Sequence, residues 1–417
     1  MLVYVPQITP RVRFTLDVIL GRLLNISYDI TTDLSVFESC QTEKLAYAPV
    51  PIDKECKIWI EAHPLLFEES FHQQQIIPTP WNGIQLFFPT SNGAFPIDIF
   101  AVSFYLLSRY EEYNPDSRRD QHNRFPITES VSYQLKFYRK PVVNMLAYAL
   151  GEEIQKHYPF FLFQKPEFKT LTTYDVDIAY QYRGKGLFRF IGSLGKSFLH
   201  LDFKTIGKNI QGALGIKHED SFDRFQLHKD LFESENSKPI HFILTTSFSK
   251  YNKNISPKSK TFKELIRFLK GFSEIGLHPS YLSSERPELF IKEKNLLEEI
   301  GNIQVRKSRQ HYLRFQFPST FEALIEAGIH EDYSLGWHDE AGFRLSTTIP
   351  IPFFNIQTNS IRPLTLVPLT AMDGALYHCY ETLEECKNVV EELRQKVQVY
   401  GGTFVILYHN NSKKHLF

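Results

Sequence analysis

In the stretch Thr172-Thr173-Tyr174-Asp175-Val176-Asp177, two carboxylates stand two residues apart, directly after the short run Phe168-Lys169-Thr170-Leu171. The run is rich in β-branched and apolar residues, which predicts a buried strand ending in the two acids. Side chains two apart on a strand point the same way. Asp175 and Asp177 are therefore expected to project together from the carboxyl end of a strand, where open α/β sheets and α/β barrels carry their sites. Two carboxylates forced together share a proton or bind a cation.

The elements that must position them alternate from residue 168 onward. Strand candidates lie at 171–177, 240–245, 274–278, 303–308, 332–337, 365–368 and 403–409, with amphipathic helices at 261–272, 292–300, 320–327 and 382–399 between them. Such alternation predicts a parallel sheet with crossover helices, and this many units predict closure into a barrel. The span 181–238 is too long for a single crossover, so its basic, amphipathic part (183–208) is expected to be a helical insertion. The first 150 residues read as a separate, small α+β domain of unknown function. Thr9-Pro10 is a helix start, an N-cap followed by proline at the first helical position. Strand-like runs follow at 26–30, 57–60 and 84–88, then a helix at about 96–113 with Asp98 in its first turn. The polar stretch 114–124, with Asp116, Asp120, His122 and Arg124, reads either as a solvated loop or as a piece that packs at the mouth of the second domain.

Polar residues end most of the second-domain strands. Asp175 and Asp177 end the first; His278 follows Gly276-Leu277 and precedes Pro279-Ser280-Tyr281; Arg309-Gln310-His311-Tyr312 ends the fourth. Asp332 and Trp337 lie at the fifth, and His409 ends the last. Any one of them alone reads as an ordinary structural residue. Their common placement at one end of successive strands points to a site.

In order and spacing, residues 168–417 resemble the polysaccharide deacetylases with NodB homology (carbohydrate esterase family 4), in the subgroup with an uncharacterised N-terminal domain. The five motifs of that family look like Thr173-Tyr174-Asp175-Val176-Asp177, His278-Pro279-Ser280, Arg309-Gln310-His311-Tyr312, Asp332 through Trp337, and Leu407-Tyr408-His409. The resemblance implies a distorted (β/α)7-type barrel and metal-assisted hydrolysis of an acetyl group on a carbohydrate, an acetylated amino sugar or glycan. It implies Asp175 as general base, with Arg309 orienting it, and His409 as the acid that protonates the leaving amine. It implies Asp177 and His278 as ligands of a divalent ion, zinc first, with nickel, cobalt or manganese as alternatives. The Tyr312 backbone N–H would face the oxyanion, and Trp337, Tyr281 and Asp332 would meet the substrate. Two positions depart from the family pattern. Val176 separates acids that are usually adjacent, and Leu282 stands where a second histidine ligand is usual. His311 is one candidate for the missing ligand; a water, a carboxylate from the first domain, or a two-ligand site are the others.

Bulk composition narrows the field. The chain has 417 residues, 42% hydrophobic and 14% aromatic, enough for two or three cores. Formal net charge is zero, so nothing global steers it to nucleic acid or anionic membrane. No run approaches the length of a transmembrane helix, and the first 24 residues lack the apolar core of a signal peptide. The four cysteines show no CxxC spacing and read as buried free thiols in a reducing compartment, which predicts a cytoplasmic protein. Three functions stay open. The first is a metal-dependent carbohydrate deacetylase. The second is a catalytically weak or inactive glycan-binding protein on that fold, favoured by the departure at Leu282. The third is an amidase acting on a non-sugar acyl amide.

Overall fold

The structure is a computed structural model and describes residues 1–52, 56–181, 183, 220–235, 238–246 and 248–412. Most of the expected insertion at 181–238 lies outside the described residues.

The N-terminal segment holds strands β1 (Leu2–Tyr4), β2 (Asp29–Thr31), β3 (Lys44–Ala48) and β4 (Trp59–Glu61), all parallel in the order β2-β1-β3-β4. The hairpin of β5 (Thr79–Trp81) and β6 (Ile84–Leu86) follows. Helix α1 (Pro10–Leu16) starts as its cap residue dictates, with the Thr9 side chain accepting the Val12 N–H. Helix α2 (Leu34–Ser39) leads to β3, a strand absent from the sequence expectation. Helix α3 (Ile99–Leu107) is shorter than expected at both ends. Asp98 is its N-cap rather than part of its first turn, and Arg109, at φ 52°, breaks the helical path. A short α4 (Val131–Gln134) precedes α5 (Val142–His157), a helix the sequence reading did not anticipate and one that runs past residue 150.

The second part is an α/β unit around one nine-stranded sheet. Its strands are β7 (Phe168–Val176), β8 (Ile240–Leu244), β9 (Glu274–His278), β10 (Lys307–Ser308), β11 (Glu331–Leu335), β12 (Ile351–Asn355), β13 (Ser360–Pro368), β14 (Ala371–Met372) and β15 (Gly402–His409). Their order is β12-β13-β11-β10-β9-β8-β7-β15-β14, parallel throughout except for the antiparallel pair β12–β13. Helices α6 (Phe225–Glu235), α7 (Lys260–Leu269), α8 (Glu288–Gly301), α9 (Ser319–Glu326), α10 (Asp373–Cys379) and α11 (Leu383–Tyr400) supply the connections.

The sheet is curled. Ile240 and Phe242 of β8, Tyr333 of β11, Val367 of β13 and Val405 and Leu407 of β15 meet in one interior cluster, although β13 and β15 lie near opposite ends of the strand order. The gap is spanned by the chain itself, where the Thr370 N–H donates to the Val405 carbonyl at 3.0 Å. The expected seven-strand barrel is thus a curled nine-stranded sheet, because the β12–β13 hairpin and β14 add edges. Alternation sets the faces. Val405 and Leu407 face the interior, while Phe404, Ile406 and Tyr408 pack with Val390 and Leu393 of α11.

One hydrophobic cluster joins the two parts, with Phe14 and Phe104 packing on Phe354 at ring distances of 5.2 and 5.1 Å. Of the cysteines only Cys386 is buried, and Cys379 is exposed, so the expectation of four buried thiols fails. Among the described residues no helix is long and apolar enough to cross a membrane.

Candidate metal centre

Register explains which side chains meet. On β7, Leu171 joins the interior cluster and Tyr174 the outer one, so Thr173, Asp175 and the following Asp177 share the inner face at the strand's carboxyl end. Asp175 pairs across with His409 of β15, and His278 ends β9 two strands away.

A glycine makes room for the next residue. A Cβ on Gly276 would stand 2.4 Å from Phe242 Cδ1, so only glycine lets the Phe242 ring lie across the interior. That ring carries the Arg309 guanidinium on its face, 4.5 Å from the centroid. Arg309 is fully buried; its Nε donates to the Tyr333 carbonyl at 3.0 Å, and its Nη1 to Thr173 Oγ1 at 2.8 Å and Asp175 Oδ1 at 3.1 Å. Burial lowers its pKa, and the Asp175 carboxylate opposes that shift.

Two imidazoles then point the same nitrogen at one spot. His278 Nδ1 lies 2.6 Å from the Arg309 carbonyl, which can only accept, so Nδ1 carries the hydrogen and Nε2 faces inward. His311 Nδ1 lies 3.3 Å from Asn252 Oδ1, and that oxygen also accepts the Tyr281 N–H at 3.1 Å. The amide is thereby fixed as an acceptor, and the His311 tautomer follows. Both Nε2 atoms converge on Asp177 Oδ1, at 3.0 Å from His278 and 3.6 Å from His311. One ligand atom from each of the three residues lies within 4.8 Å of the others.

Asp177 Oδ1 is buried and makes no hydrogen bond among the described residues, despite the short contact to His278. Burial alone would raise the Asp177 carboxyl, but the imidazoles of His311 and His278 outweigh it and hold the group well below the usual carboxylate range. Burial would likewise lower His278, and the carboxylates of Asp175 and Asp177 raise it instead. An orphaned carboxylate oxygen between two imidazole nitrogens with fixed tautomers fits a cation held by one oxygen and two nitrogens.

Across the site, His409 Nε2 stands 3.8 Å from Asp177 Oδ2. Its Nδ1 lies 2.7 Å from Asp373 Oδ1, and its backbone N–H donates to Asp373 Oδ2 at 2.9 Å. Burial would depress this imidazole, yet the Asp373 carboxylate dominates and its pKa is pushed up to about 10. The sequence reading missed Asp373, although an acid directly after β14 meets the strand-end criterion used for the others. Asn252 was also missed, and a loop asparagine carries no comparable signal.

Not every expected residue reaches the site. Tyr333 faces the sheet interior, so its neighbour Asp332 faces away; it is fully buried, with Oδ2 accepting from Ser308 Oγ at 2.6 Å and Oδ1 from the Ser334 N–H at 2.9 Å. Trp337 is 2% exposed and lies between the guanidiniums of Arg344 (4.7 Å) and Arg109 (5.2 Å), so it has no free face for a sugar. Tyr281 is also largely buried, stacked on Tyr251 at 4.0 Å. Tyr312 is 38% exposed, with its ring 4.6 Å from that of His311. Of the two readings of 114–124, the structure shows the second: His122 Nδ1 contacts the Tyr281 hydroxyl at 2.8 Å.

A family of unknown function (DUF7033) matches residues 1–159. No curated protein matches the chain. Among solved structures, the chain is similar to a candidate polysaccharide deacetylase from Mycobacterium smegmatis, at 14% identity and a TM-score of 0.38 over 59% of this chain and 78% of that one. It is also similar to the polysaccharide deacetylase Bc1974 from Bacillus cereus (11% identity, TM-score 0.28, 60% and 82% covered) and to IcaB from Ammonifex degensii (14% identity, TM-score 0.24, 42% and 86% covered).

Proposed function

We propose that this chain is a hydrolase that removes an acetyl group from a carbohydrate, N-acetyl or O-acetyl, with a divalent cation held by Asp177, His278 and His311. The observation that carries the reading is the convergence of Asp177 Oδ1 and the two Nε2 atoms beside an arginine-held Asp175 and an aspartate-held His409. The donor set of one oxygen and two nitrogens suits zinc, and nickel, cobalt or manganese less specifically. Such a cation supplies polarisation of the acyl carbonyl and acidification of a water.

The chain's own residues divide the rest of the work. Asp175 takes a proton from the attacking water. Its Oδ1 is engaged by Arg309, while Oδ2 lies 3.7 Å from His278 Nε2, on the side of the converging ligand atoms. His409, charged at neutral pH through Asp373, delivers a proton to the departing amine or alcohol. Arg309 fixes the direction of Asp175. The Tyr312 backbone N–H serves the developing oxyanion, and the Tyr312 ring offers an apolar face to the sugar. The order of the five motifs favours a sugar over another acyl amide.

Protein purified without chelators is expected to carry near-stoichiometric zinc or a related ion, and to release acetate from N-acetylated amino-sugar oligomers. Asp175→Asn should keep the ion and lose acetate release by about 10²–10⁴-fold, the range for a general base. A wild type that binds no divalent ion at micromolar concentrations sinks the proposal.

A further inference from the structure

The turn at 120–124, in the segment matched by a family of unknown function, is tied to the site by reciprocal contacts. Asp120 Oδ1 accepts the N–H groups of His122 (2.8 Å) and Arg124 (2.9 Å), and the Asp120 N–H donates to the Arg124 carbonyl at 3.0 Å, which seals the turn. The Arg124 guanidinium is gripped by Asp120 Oδ2, at 2.8 Å from Nε and 2.7 Å from Nη2. This leaves Arg124 Nη1 to donate to the Tyr312 carbonyl at 2.9 Å. In the opposite direction, Arg314 donates from Nε to the His122 carbonyl (2.8 Å) and from Nη1 to the Tyr281 carbonyl (2.9 Å). At this turn each part of the molecule therefore sends an arginine to a backbone carbonyl of the other.

The backbone under this clamp is a strained one. Tyr312 and Leu313 have φ of 62° and 50°, a left-handed region that a side chain disfavours and glycine enters freely. Two such residues in succession persist only where their surroundings dictate them. His311 directly precedes them, so relaxation at Tyr312 would swing the peptide that carries both the His311 ring and the Tyr312 N–H.

We infer that Arg124 is a positioning residue of the site: through the Tyr312 carbonyl it holds the left-handed turn that sets His311 and the Tyr312 N–H. This rests on the hydrolase reading above. One task of the N-terminal segment is then to complete the site rather than to form a separate binding module. Asp120 serves the same end by preorienting the guanidinium.

The test is a double-mutant cycle on acetate release by zinc-loaded full-length protein, with thermal unfolding followed alongside. Arg124→Ala should lower kcat about 10–100-fold with KM within about 2-fold, as expected for a displaced catalytic geometry. Asp120→Asn, nearly isosteric, should give a smaller loss in the same direction. Tyr312→Gly, which needs no clamp to hold positive φ, lowers activity through loss of the ring. In that background Arg124→Ala should add less than about 2-fold, a coupling that a purely structural role would not produce. Equal losses in both backgrounds, or no loss from Arg124→Ala in the wild type, overturn this inference alone. An inert wild type overturns the hydrolase reading and this inference with it.

Discussion

Two of the places where the molecule buries charge follow opposite rules. Glu112, Arg109 and Arg344 each meet an opposite charge with hydrogen-bond geometry. Glu112 Oε1 accepts Arg109 Nε (2.8 Å) and Arg344 Nε (3.0 Å), and Oε2 accepts Arg344 Nη2 (2.7 Å). The remaining arms of both arginines reach Glu111 and the carbonyls of Arg344 and Gly336. Burial opposes ionisation of Glu112, and the two arginines overcome it. Around Asp177 the imidazole partners stand farther off, at 3.0, 3.6 and 3.8 Å, and hydrogen bonds are missing. Asp177 Oδ1 and Arg309 Nη2 lack hydrogen bonds among the described residues, as do Ser280 Oγ and Gln310 Nε2, which flank His278 and Arg309 in sequence. Buried polar atoms are normally satisfied, so this cluster of exceptions supports the proposed ligand site. The hydrogen bonds of Glu112, Arg109 and Arg344 close on groups of the chain itself and weld the N-terminal segment to the curled sheet, and the atoms without hydrogen bonds near it in sequence among the described residues (Trp337 Nε1, His338 Nδ1, Asp339 Oδ1 and Ser346 Oγ) lie outside that triad.

The comparison can be broken most directly at its two carboxylates. Asp177→Ala removes the oxygen both imidazoles share. Acetate release should fall by about 10⁴-fold, since the ion's several kcal/mol of transition-state stabilisation goes with it. The metal-free protein should lose less stability than Glu112→Ala costs, because the deletion removes the attraction of His278 and His311 for this carboxylate but no hydrogen bond of Oδ1. Glu112→Ala should do the reverse. It leaves two buried arginines without their acid, a cost of about 3–5 kcal/mol read by denaturant titration, while zinc affinity of the folded protein stays within about 2-fold. If both variants affect stability and metal affinity alike, the two clusters are of one kind.

A finer cut goes through Asn252, whose Oδ1 fixes the His311 tautomer. Asn252→Leu should weaken zinc binding about 10–100-fold, the usual cost of losing such an outer partner, and Asn252→Asp should recover most of it by retaining an acceptor. Competition with a chromogenic chelator measures this. Equal affinity in all three proteins would mean that the His311 ring is oriented by packing alone.

The strand-by-strand order of the second part was legible because buried parallel strands and amphipathic helices leave periodic signals, and the residues at the strand ends were legible because one criterion picks them all. Asp332 and Trp337 show its limit. A strand end offers two faces, and only knowing that Tyr333 points inward sends Asp332 the other way. Trp337 needs Arg109, over two hundred residues earlier, to explain its burial. Edge strand β12 and the first part of β13 (Ser360–Pro368) went unread because edge strands carry weaker patterns, and the contact made by Arg124 because its partner is a backbone carbonyl, which leaves no trace in residue types.

The smallest effect concerns a third kind of burial, in which an ionisable group is kept neutral. His241 is fully buried; its Nδ1 meets Ser273 Oγ at 3.0 Å and its Nε2 meets His228 Nδ1 at 3.1 Å, with the rings of Tyr174, Phe225 and Phe272 around it and no carboxylate among these contacts. Burial pushes its pKa down to about 3. Between the unfolded value near 6.5 and that folded value, the unfolded chain binds a proton that the folded protein refuses. Stability is thus complete above about pH 6.5 and falls as the solution is acidified, by up to about 1.4 kcal/mol per pH unit from this residue. His241→Phe forfeits the hydrogen bonds and lowers stability at every pH, so the slope rather than the intercept is informative. Denaturant titrations from pH 7 to 5 should show a shallower acid slope in the variant. His409 tilts the other way, since its raised pKa makes its contribution complete below about 6.5 and lost toward 10. Acid should therefore weaken the packing around His241 while leaving the His409–Asp373 pair intact, and a variant slope equal to the wild type's would show that His241 is not held neutral at all.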